Sequence, residues 1–369
     1  MMRIAAFGLR IIPPREGSSG SDTFADELYT RLAAAGHEIT VYCRLYNNTE
    51  KPEFSTYKNL KLVYLKTVSK SGFDTLIHSF LSTIHIIIFN TGKVVHIHNG
   101  GNSIWALPLR LFGKKVYVSQ DGMDWDREKW KWYARFYLKL SIFITAFLPN
   151  DIIFDNIYLK EKFEKKFRRK YTFIPYGATW LDTTETSILI NLGLSPGSYF
   201  LFVGRFIPEK GIHYLIEAYL QLKTEKKLVI VGGSPNPDTE FEKRIRSYKC
   251  EKIVMPGYLY GKEMLQLMKN CYCYIQPSDI EGLSPVILTA MGMGTPLICS
   301  NIPENIYAVG DTAILFEKGS VISMKQKMEF ALNNTEFLGT LAEKAKIRAR
   351  ENFSWDSVAK KFEEVFGKS

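Results

Sequence analysis

The sequence predicts an α/β protein built from two doubly wound parallel sheets, and three observations carry that reading. The chain has 369 residues, too many for one ordinary domain and suited to two of about 170–190 each. Short apolar runs of strand-forming residues alternate with helix-patterned stretches in both halves, the order that builds parallel sheets. In the second half one such strand, Tyr199 to Val203, breaks at Gly204 into a tight turn. Ile212, Leu215, Ile216 and Tyr219 then follow at helical spacing. A strand-to-helix turn of this kind is where open α/β sheets bind their ligands.

Taken in order, IAAFGL is the first strand and RIIPPREGSSGS a loop rich in Pro, Gly and Ser. TFADELYTRLAAAG reads as a helix, with Asp22 or Thr23 as its cap and Gly36 as its end. HEITVYCR is the second strand; KLVYLK, VVHIH, KKVYVS and the short FLP near Phe147 are candidates for further strands. TFIPYGA, near Tyr176 and Gly177, closes the first half, and the polar LDTTETS with the turn GLSPGS is the predicted linker. YFLFVG, KKLVIVGG, KIVMPG, CYCYIQP, TPLICS and AILF form the second alternation. FSWDSVAKKFEEVF ends the chain as an amphipathic helix with Phe353, Val358, Phe362 and Val365 among its apolar residues.

Composition bounds the function. Hydrophobic residues at 46% and charged residues at 23% describe a globular protein with two cores' worth of material. Met1, Met2 and Arg3 run straight into the first strand and no run of about 18 apolar residues occurs, so a cytoplasmic location is expected. Of the cysteines, Cys271 and Cys273 alternate in CYCYI but lack a second ligand pair for zinc, so buried free thiols are expected. The net charge of +10 invites an anionic partner. No helix-turn-helix, zinc-finger or RNA-binding aromatic motif points to nucleic acid, and the loop after the first strand lacks the dinucleotide Gly-x-Gly-x-x-Gly spacing. Basic and aromatic residues interleave in REKWKWYARFYLKL, with Lys131, Arg135 and Lys139 on one helical side near Trp132, Phe136 and Leu140, and again in KEKFEKKFRRKY. This pattern fits the interface of an anionic bilayer and equally a solvated basic helix face.

The chemistry concentrates in FVGRFIPEKGIHYLIEAY. Arg205 and Lys210 project from the turn beside the positive end of a helix, a seat for a diphosphate. As loop cations, both are expected to be exposed and of little weight in stability. Further on, SDIEGLSPVILTAMGMGTPLICS places Glu281 and Gly282 in a turn, opens a helix at Pro285 and stops it at Gly292, Gly294 and Pro296. The amides of Gly282, Leu283 and Ser284 then point from a helix start at an anion, while Glu281 offers a carboxylate to sugar hydroxyls.

The order Gly-Arg, Glu-Lys-Gly, Leu-Ile-Glu-Ala closely resembles the diphosphate-binding turn of retaining glycosyltransferases of family 4, whose fold is the two-domain GT-B. The resemblance implies two Rossmann-like domains facing a central cleft: residues 1–178, the acceptor side, with 353–369 as a helix crossing back, and 179–352, the nucleotide-sugar side. It assigns Glu281 to the first position of a two-glutamate motif, which holds a donor-sugar hydroxyl. The second position, which holds the ribose diol, is Thr289 here. Gly257 and Tyr258, closing KIVMPGY, join the donor-binding set with Gly204. KKVYVSQDGMDWDREKW resembles the segment in which a histidine precedes Gly-x-Asp-Trp and often reaches the sugar 6-hydroxyl. Asp121 stands in that place, followed by Gly122, Asp124 and Trp125.

With the first loop, where Gly17 and Gly20 let backbone amides approach the donor phosphate, this is similar to a bacterial subgroup that includes rhamnosyltransferases of polysaccharide assembly. His98, with Asp124 and Trp125, is expected on the acceptor side, although His96 and His98 also suit a strand-end core. Asp124-Trp125-Asp126 looks like a metal-binding Asp-x-Asp, but GT-B enzymes neutralise the leaving diphosphate with cations and helix dipoles, so neither metal nor cofactor is expected.

The implied activity is transfer of L-rhamnose from dTDP-L-rhamnose to a saccharide or lipid-linked saccharide in polysaccharide or capsule synthesis, by a peripheral protein on the inner membrane face. Asp121, Arg205, Lys210 and Glu281 are the expected catalytic residues. A carboxylate bridging two vicinal hydroxyls gains little from a deoxyribose, and a 6-deoxy sugar needs no imidazole, so the two substitutions point the same way. A UDP- or GDP-hexose transferase, a sugar-nucleotide epimerase of the same fold, and a non-catalytic sugar-nucleotide-binding protein are the alternatives.

Overall fold

In the computed structural model, which describes residues 1–14, 20–46, 52–69, 72–120, 141–180, 185–234 and 239–368, the chain forms two units. Met1–Tyr176 with Trp355–Ser369 make one, and Gly177–Ser354 the other.

The first unit holds an eight-stranded sheet of β1 (Arg3–Phe7), β2 (Glu38–Tyr46), β3 (Thr56–Tyr57), β4 (Leu60–Thr67), β5 (Val94–His98), β6 (Lys115–Gln120), β7 (Asp151–Phe154) and β8 (Thr172–Phe173). Its order is β3-β4-β2-β1-β5-β6-β7-β8, and only the short β3 runs antiparallel to its neighbour. β1 sets the register on both sides, with Ile4 opposite Ile39 of β2 and Val94 of β5. The chain leaves β1 towards one edge through helix Gly20–Ala34 and returns from β4 past β1 through helix Phe73–Phe89. Right-handed crossovers therefore put those two helices on opposite faces. The C-terminal helix Trp355–Gly367 packs on helix Gly20–Ala34, with Phe24 and Phe362 ring centroids 5.6 Å apart and Arg31 paired to Asp356 at 2.9 Å.

The second unit holds a six-stranded, all-parallel sheet: β9 (Tyr199–Arg205), β10 (Lys227–Gly233), β11 (Ile253–Gly257), β12 (Cys273–Gln276), β13 (Leu297–Ser300) and β14 (Ile314–Phe316). The order β11-β10-β9-β12-β13-β14 reverses direction between β9 and β12. Tyr199, Phe200, Leu201 and Phe202 of β9 are all fully buried, the continuous apolar run of a strand covered on both faces.

Several local expectations change. The residues around Phe147 are helical over 141–147, and the strand follows at β7. FLP is too short an apolar run to separate helix from strand, and Pro149 cannot donate to a ladder. Asp22 lies inside the first turn of its helix, where its Oδ1 accepts from the amides of Arg10 at 2.8 Å and Ile11 at 3.4 Å. It ties down the loop after β1 instead of capping the helix. Of the stretch expected as a linker, residues 185–187 and 193–198 lie in the second unit, where Gln266 Oε1 accepts from the Ser187 hydroxyl at 3.3 Å and Leu194 is buried. The last helix opens at Trp355, leaving Phe353 in the second unit. Gly292 is inside helix Pro285–Met293, where a Cβ would stand 2.6 Å from the Thr179 carbonyl. It admits a crossing chain, and Gly294 makes the stop. Cys43, Cys271, Cys273 and Cys299 are buried free thiols and Cys250 is exposed; burial pushes the Cys299 thiol up to about 12.

His96 and His98 of β5 are core residues, 0% and 1% exposed. The Tyr29 hydroxyl meets His96 Nδ1 at 2.7 Å and His98 Nε2 at 2.6 Å, and His96 Nε2 meets Ser119 Oγ at 2.7 Å. His98 thus packs inside the first unit instead of lining an acceptor surface. Burial holds both imidazoles neutral, His96 well below its ordinary value and His98 down to about 3. The unfolded chain takes up these protons near pH 6.5 and the folded chain only far lower, so stability is intact above pH 6.5 and falls as pH drops towards 3. Melting curves between pH 7 and 4 should show this decline, with a shallower slope in His98→Asn. Equal slopes in the two proteins would rule the cluster out as its source.

Candidate active site

In an open parallel sheet, ligands sit beyond the carboxyl ends of the strands where the strand order reverses. In the second unit that place lies at the ends of β9 and β12. β9 finishes on Gly204 and Arg205, a 3-10 turn spans Pro208–Lys210, and helix Ile212–Leu220 begins after Gly211. β12 finishes on Gln276, and after the loop through Glu281 helix Pro285–Met293 begins with Ser284 as its cap, Oγ accepting from the Ile287 amide at 3.4 Å.

Glycine makes the approach of these loops possible. At Gly211, with φ of 67°, a Cβ would stand 2.1 Å from the Pro277 carbonyl oxygen. At Gly232, with φ of 131°, it would stand 1.9 Å from the Gly204 carbonyl oxygen. Both positions need the left-handed backbone and the missing side chain together.

The approach brings the two charged motifs into contact. Lys210 Nζ donates to Glu281 Oε1 at 2.5 Å, and the same oxygen accepts from Gln276 Nε2 at 2.5 Å and Ser278 Oγ at 2.6 Å. Gln276 also donates to Ser278 Oγ at 2.8 Å, and Tyr274 donates to Gln276 Oε1. The loop is anchored from the next strand, where Ser300 Oγ donates to the Ser278 carbonyl at 2.6 Å. All three donors meet Oε1; among the described residues none meets Oε2. The sequence motifs name Glu281 and Lys210 but not Gln276 or Ser278, which hold the carboxylate still. Their only signal is their place, at the end of a buried strand immediately before the glutamate.

Arg205 is exposed, and among the described residues no carboxylate pairs with it. Lys210 differs from the expectation of an exposed loop cation, because its side chain is 18% exposed and that of Glu281 8%. The amides of Gly282, Leu283 and Ser284 donate to no group among the described residues, while the Leu283 side chain is in the core. Thr289 is buried and its hydroxyl donates to the Pro285 carbonyl at 2.9 Å. Gly257 lets β11 end in a turn, and Tyr258 packs over Gly233 and stacks with Tyr260 at 6.1 Å between centroids. A third cation, Arg246, sits beside this ring; Glu242 Oε1 fixes it at 2.6 Å, and Glu242 Oε2 accepts from the Ser234 amide. No sequence motif marks Arg246. In the first unit Gly20 opens helix Gly20–Ala34, whereas Gly17, Asp121, Gly122, Asp124 and Trp125 lie outside the described residues, as do Lys131, Arg135 and Lys139.

Residues 192–351 match the family described as glycosyl transferases group 1, the span that holds every one of these second-unit residues. The second unit carries a group 1 glycosyltransferase domain. Residues 1–179 match a domain of unknown function, DUF1972. An uncharacterized glycosyltransferase of Methanocaldococcus jannaschii is 27% identical over 341 residues, 89% of this chain and 91% of its own. The capsular polysaccharide biosynthesis glycosyltransferase CapM of Staphylococcus aureus is 22% identical over 64% of this chain and 66% of its own. Among solved structures, a sucrose-phosphate synthase from Thermosynechococcus elongatus superposes with a TM-score of 0.82 at 17% identity, covering 99% of this chain and 98% of its own. HepE of Anabaena, solved with UDP-glucose, superposes at 0.80 with 14% identity over 99% of each chain. The fold is GT-B, and the chain is a glycosyltransferase.

The two cations of this glycosyltransferase separate two effects. Arg205→Ala and Lys210→Ala should each lower turnover by about 10²-fold or more. Only Lys210→Ala should also lower the melting temperature, by roughly 2–8 °C, because it takes one donor from a buried carboxylate at a cost of about 1–3 kcal/mol. Wild-type turnover in both variants would remove the assignment.

Proposed function

We propose that this chain transfers a hexose from a nucleoside-diphosphate sugar, seated on the loops after β9 and β12, to a saccharide acceptor. Retention of configuration and independence of metal are part of the proposal. The observation that carries it is the convergence of Arg205, Lys210 and Glu281 at the switch point of the sheet. A diphosphate leaving the sugar gains negative charge; Lys210, held by Glu281, and the open amides of residues 282–284 are donors in place before that charge develops, and exposed Arg205 turns to join them. Each such donor contributes about 2.7–4 kcal/mol to the barrier reduction in comparable anion-stabilising sites. Glu281 has Oε1 committed to protein donors, which leaves Oε2 to accept from a sugar hydroxyl. Retention follows from the family resemblance, in which the leaving diphosphate helps deprotonate the acceptor on the same face.

For the donor we propose dTDP-L-rhamnose. Thr289 supports it: its hydroxyl is spent on the helix backbone, so this position offers no carboxylate to a ribose diol. The likeness to HepE with UDP-glucose favours a second reading, a UDP-hexose donor. The acceptor we propose is lipid-linked and belongs to polysaccharide assembly, reached by peripheral attachment to an anionic membrane. The basic segment Ile157–Lys170, with seven Lys and Arg against two Glu, supports that attachment.

A thermal-shift panel of UDP, GDP, ADP and dTDP sugars tests the donor, since a ligand at a hundredfold its Kd stabilises by about 2.7 kcal/mol. dTDP-L-rhamnose should give the largest shift, and Thr289→Glu should move preference towards a ribose-bearing donor. Transfer from UDP-glucose with no response to dTDP-rhamnose would overturn the donor and leave the transferase standing. Product analysis with and without acceptor separates transfer from epimerisation.

Activity should persist in EDTA, because the cations Arg205 and Lys210 at the switch point take the place of a metal. Loss on chelation with recovery in manganese or magnesium would overturn metal independence and return attention to Asp124 and Asp126.

A further inference from the structure

Helix Phe73–Phe89 is inside out. Its buried positions are His78, Ser79, Ser82, Thr83 and Ile86, four of the five polar. Its exposed positions include Phe73, Leu76, Phe80, Ile84 and Ile88, spaced as one helical face and up to 67% exposed at Ile88. Between Asp74 and Lys93 the sequence has no Asp, Glu, Lys or Arg. The orientation is fastened, not accidental. Ser79 Oγ donates to Asn102 Oδ1 at 2.9 Å, Thr67 Oγ1 donates to the Asp74 carbonyl at 2.7 Å, and Arg44 pairs with Asp74 at 2.6 Å. Ser82 and Thr83 satisfy their hydroxyls on the carbonyls of His78 and Ser79. Turning the apolar face inward would break the bonds to Asn102 and Arg44, so these contacts hold that face towards the helix's surroundings.

The face continues across the unit. Phe80 packs on Trp105 at 5.3 Å, beside exposed Leu107, Leu111 and Phe112. Arg110 donates to the Leu148 carbonyl at 3.0 Å, joining this patch to exposed Phe143 and Phe147. Phe147 meets Phe167 at 5.8 Å, where the basic segment Ile157–Lys170 begins its turn to solvent with Lys162, Lys165, Lys166, Arg168 and Lys170 exposed. Every connection from β4 to β8 crosses the sheet in one direction, so these helices share one face of it. An apolar patch of this extent marks a partner, and its basic border selects one of opposite charge.

We propose that the face made by helix Phe73–Phe89, helix Ala106–Leu111 with Phe112, residues 141–147 and the basic segment 157–170 is the surface by which this chain rests on an anionic lipid bilayer. The exposed phenylalanine, leucine and isoleucine side chains enter the acyl boundary while the lysines and arginines lie over the headgroups. This inference rests on the peripheral attachment proposed above and assigns it to a surface; the transferase reading does not depend on it.

The full-length chain should co-sediment with phosphatidylcholine vesicles containing about one-third phosphatidylglycerol, and less with pure phosphatidylcholine or at high salt. The double variant Ile84→Asp/Ile88→Asp should lose about tenfold or more in vesicle binding, with unchanged circular dichroism and an unchanged donor-induced thermal shift. Ile84→Ser/Ile88→Ser gives the same comparison should the aspartates disturb folding. Wild-type protein that ignores both vesicle types would overturn peripheral attachment and this surface together. Equal vesicle binding by wild type and variants would overturn the surface alone. Light scattering that shows a dimer dispersed by the variants, with vesicle binding unchanged, would assign the face to a second copy and overturn the proposal.

Discussion

One carboxylate oxygen organises the second unit. Glu281 Oε1 collects Lys210 from the loop after β9 and Gln276 and Ser278 from the end of β12, so two loops distant in sequence become one site. Burying that oxygen without donors would be costly, and its three partners offset the loss of water. The same contact sets the charge that a ligand meets. Lys210 is already half committed to Glu281, while Arg205 is exposed at the end of β9. A diphosphate arriving here finds one cation free to turn towards it and one held at a known place.

The glycines enforce that contact sterically. No residue with a Cβ fits at Gly211 beside the Pro277 carbonyl, or at Gly232 beside the Gly204 carbonyl. Each crowding point lies between strand ends that converge, so the glycine that closes Glu-Lys-Gly is a packing requirement before it is part of a binding signature. That is why a motif of few residues could be read as a site. Gly211 records how closely two segments pass, and the charged residues beside it stand at the gap so formed.

The sheets were legible because buried parallel strands are continuous apolar runs, and YFLFVG or KKLVIVGG can be little else at that length. FLP failed because so short a run carries no period. Asp22 failed because a carboxylate can cap a helix or a loop with the same geometry, and only the fold shows which amides are near. Arg205, Lys210 and Glu281 were legible through local pattern, but their union was not: the Lys210–Glu281 contact spans 71 positions and depends on strand order. Gln276 and Ser278 carry only the trace of their place before the glutamate, and Arg246, paired locally with Glu242, is marked by no motif.

The two units use polarity in opposite ways. In the second, polar side chains gather at strand ends around a charge that a ligand can share. In the first, the polar face of helix Phe73–Phe89 is turned inward and its apolar face outward, a reversal that costs hydrophobic burial and is held by the contacts of Ser79 with Asn102 and Asp74 with Arg44. Folding alone gives no reason for the arrangement, because exchanging the two faces would bury more apolar surface with fewer buried hydroxyls. An outward apolar face with a basic border is favoured when something beyond the described residues covers it. On the proposed reading the donor site and this face answer to different demands: one to the leaving group of a reaction, the other to the surface on which the chain rests.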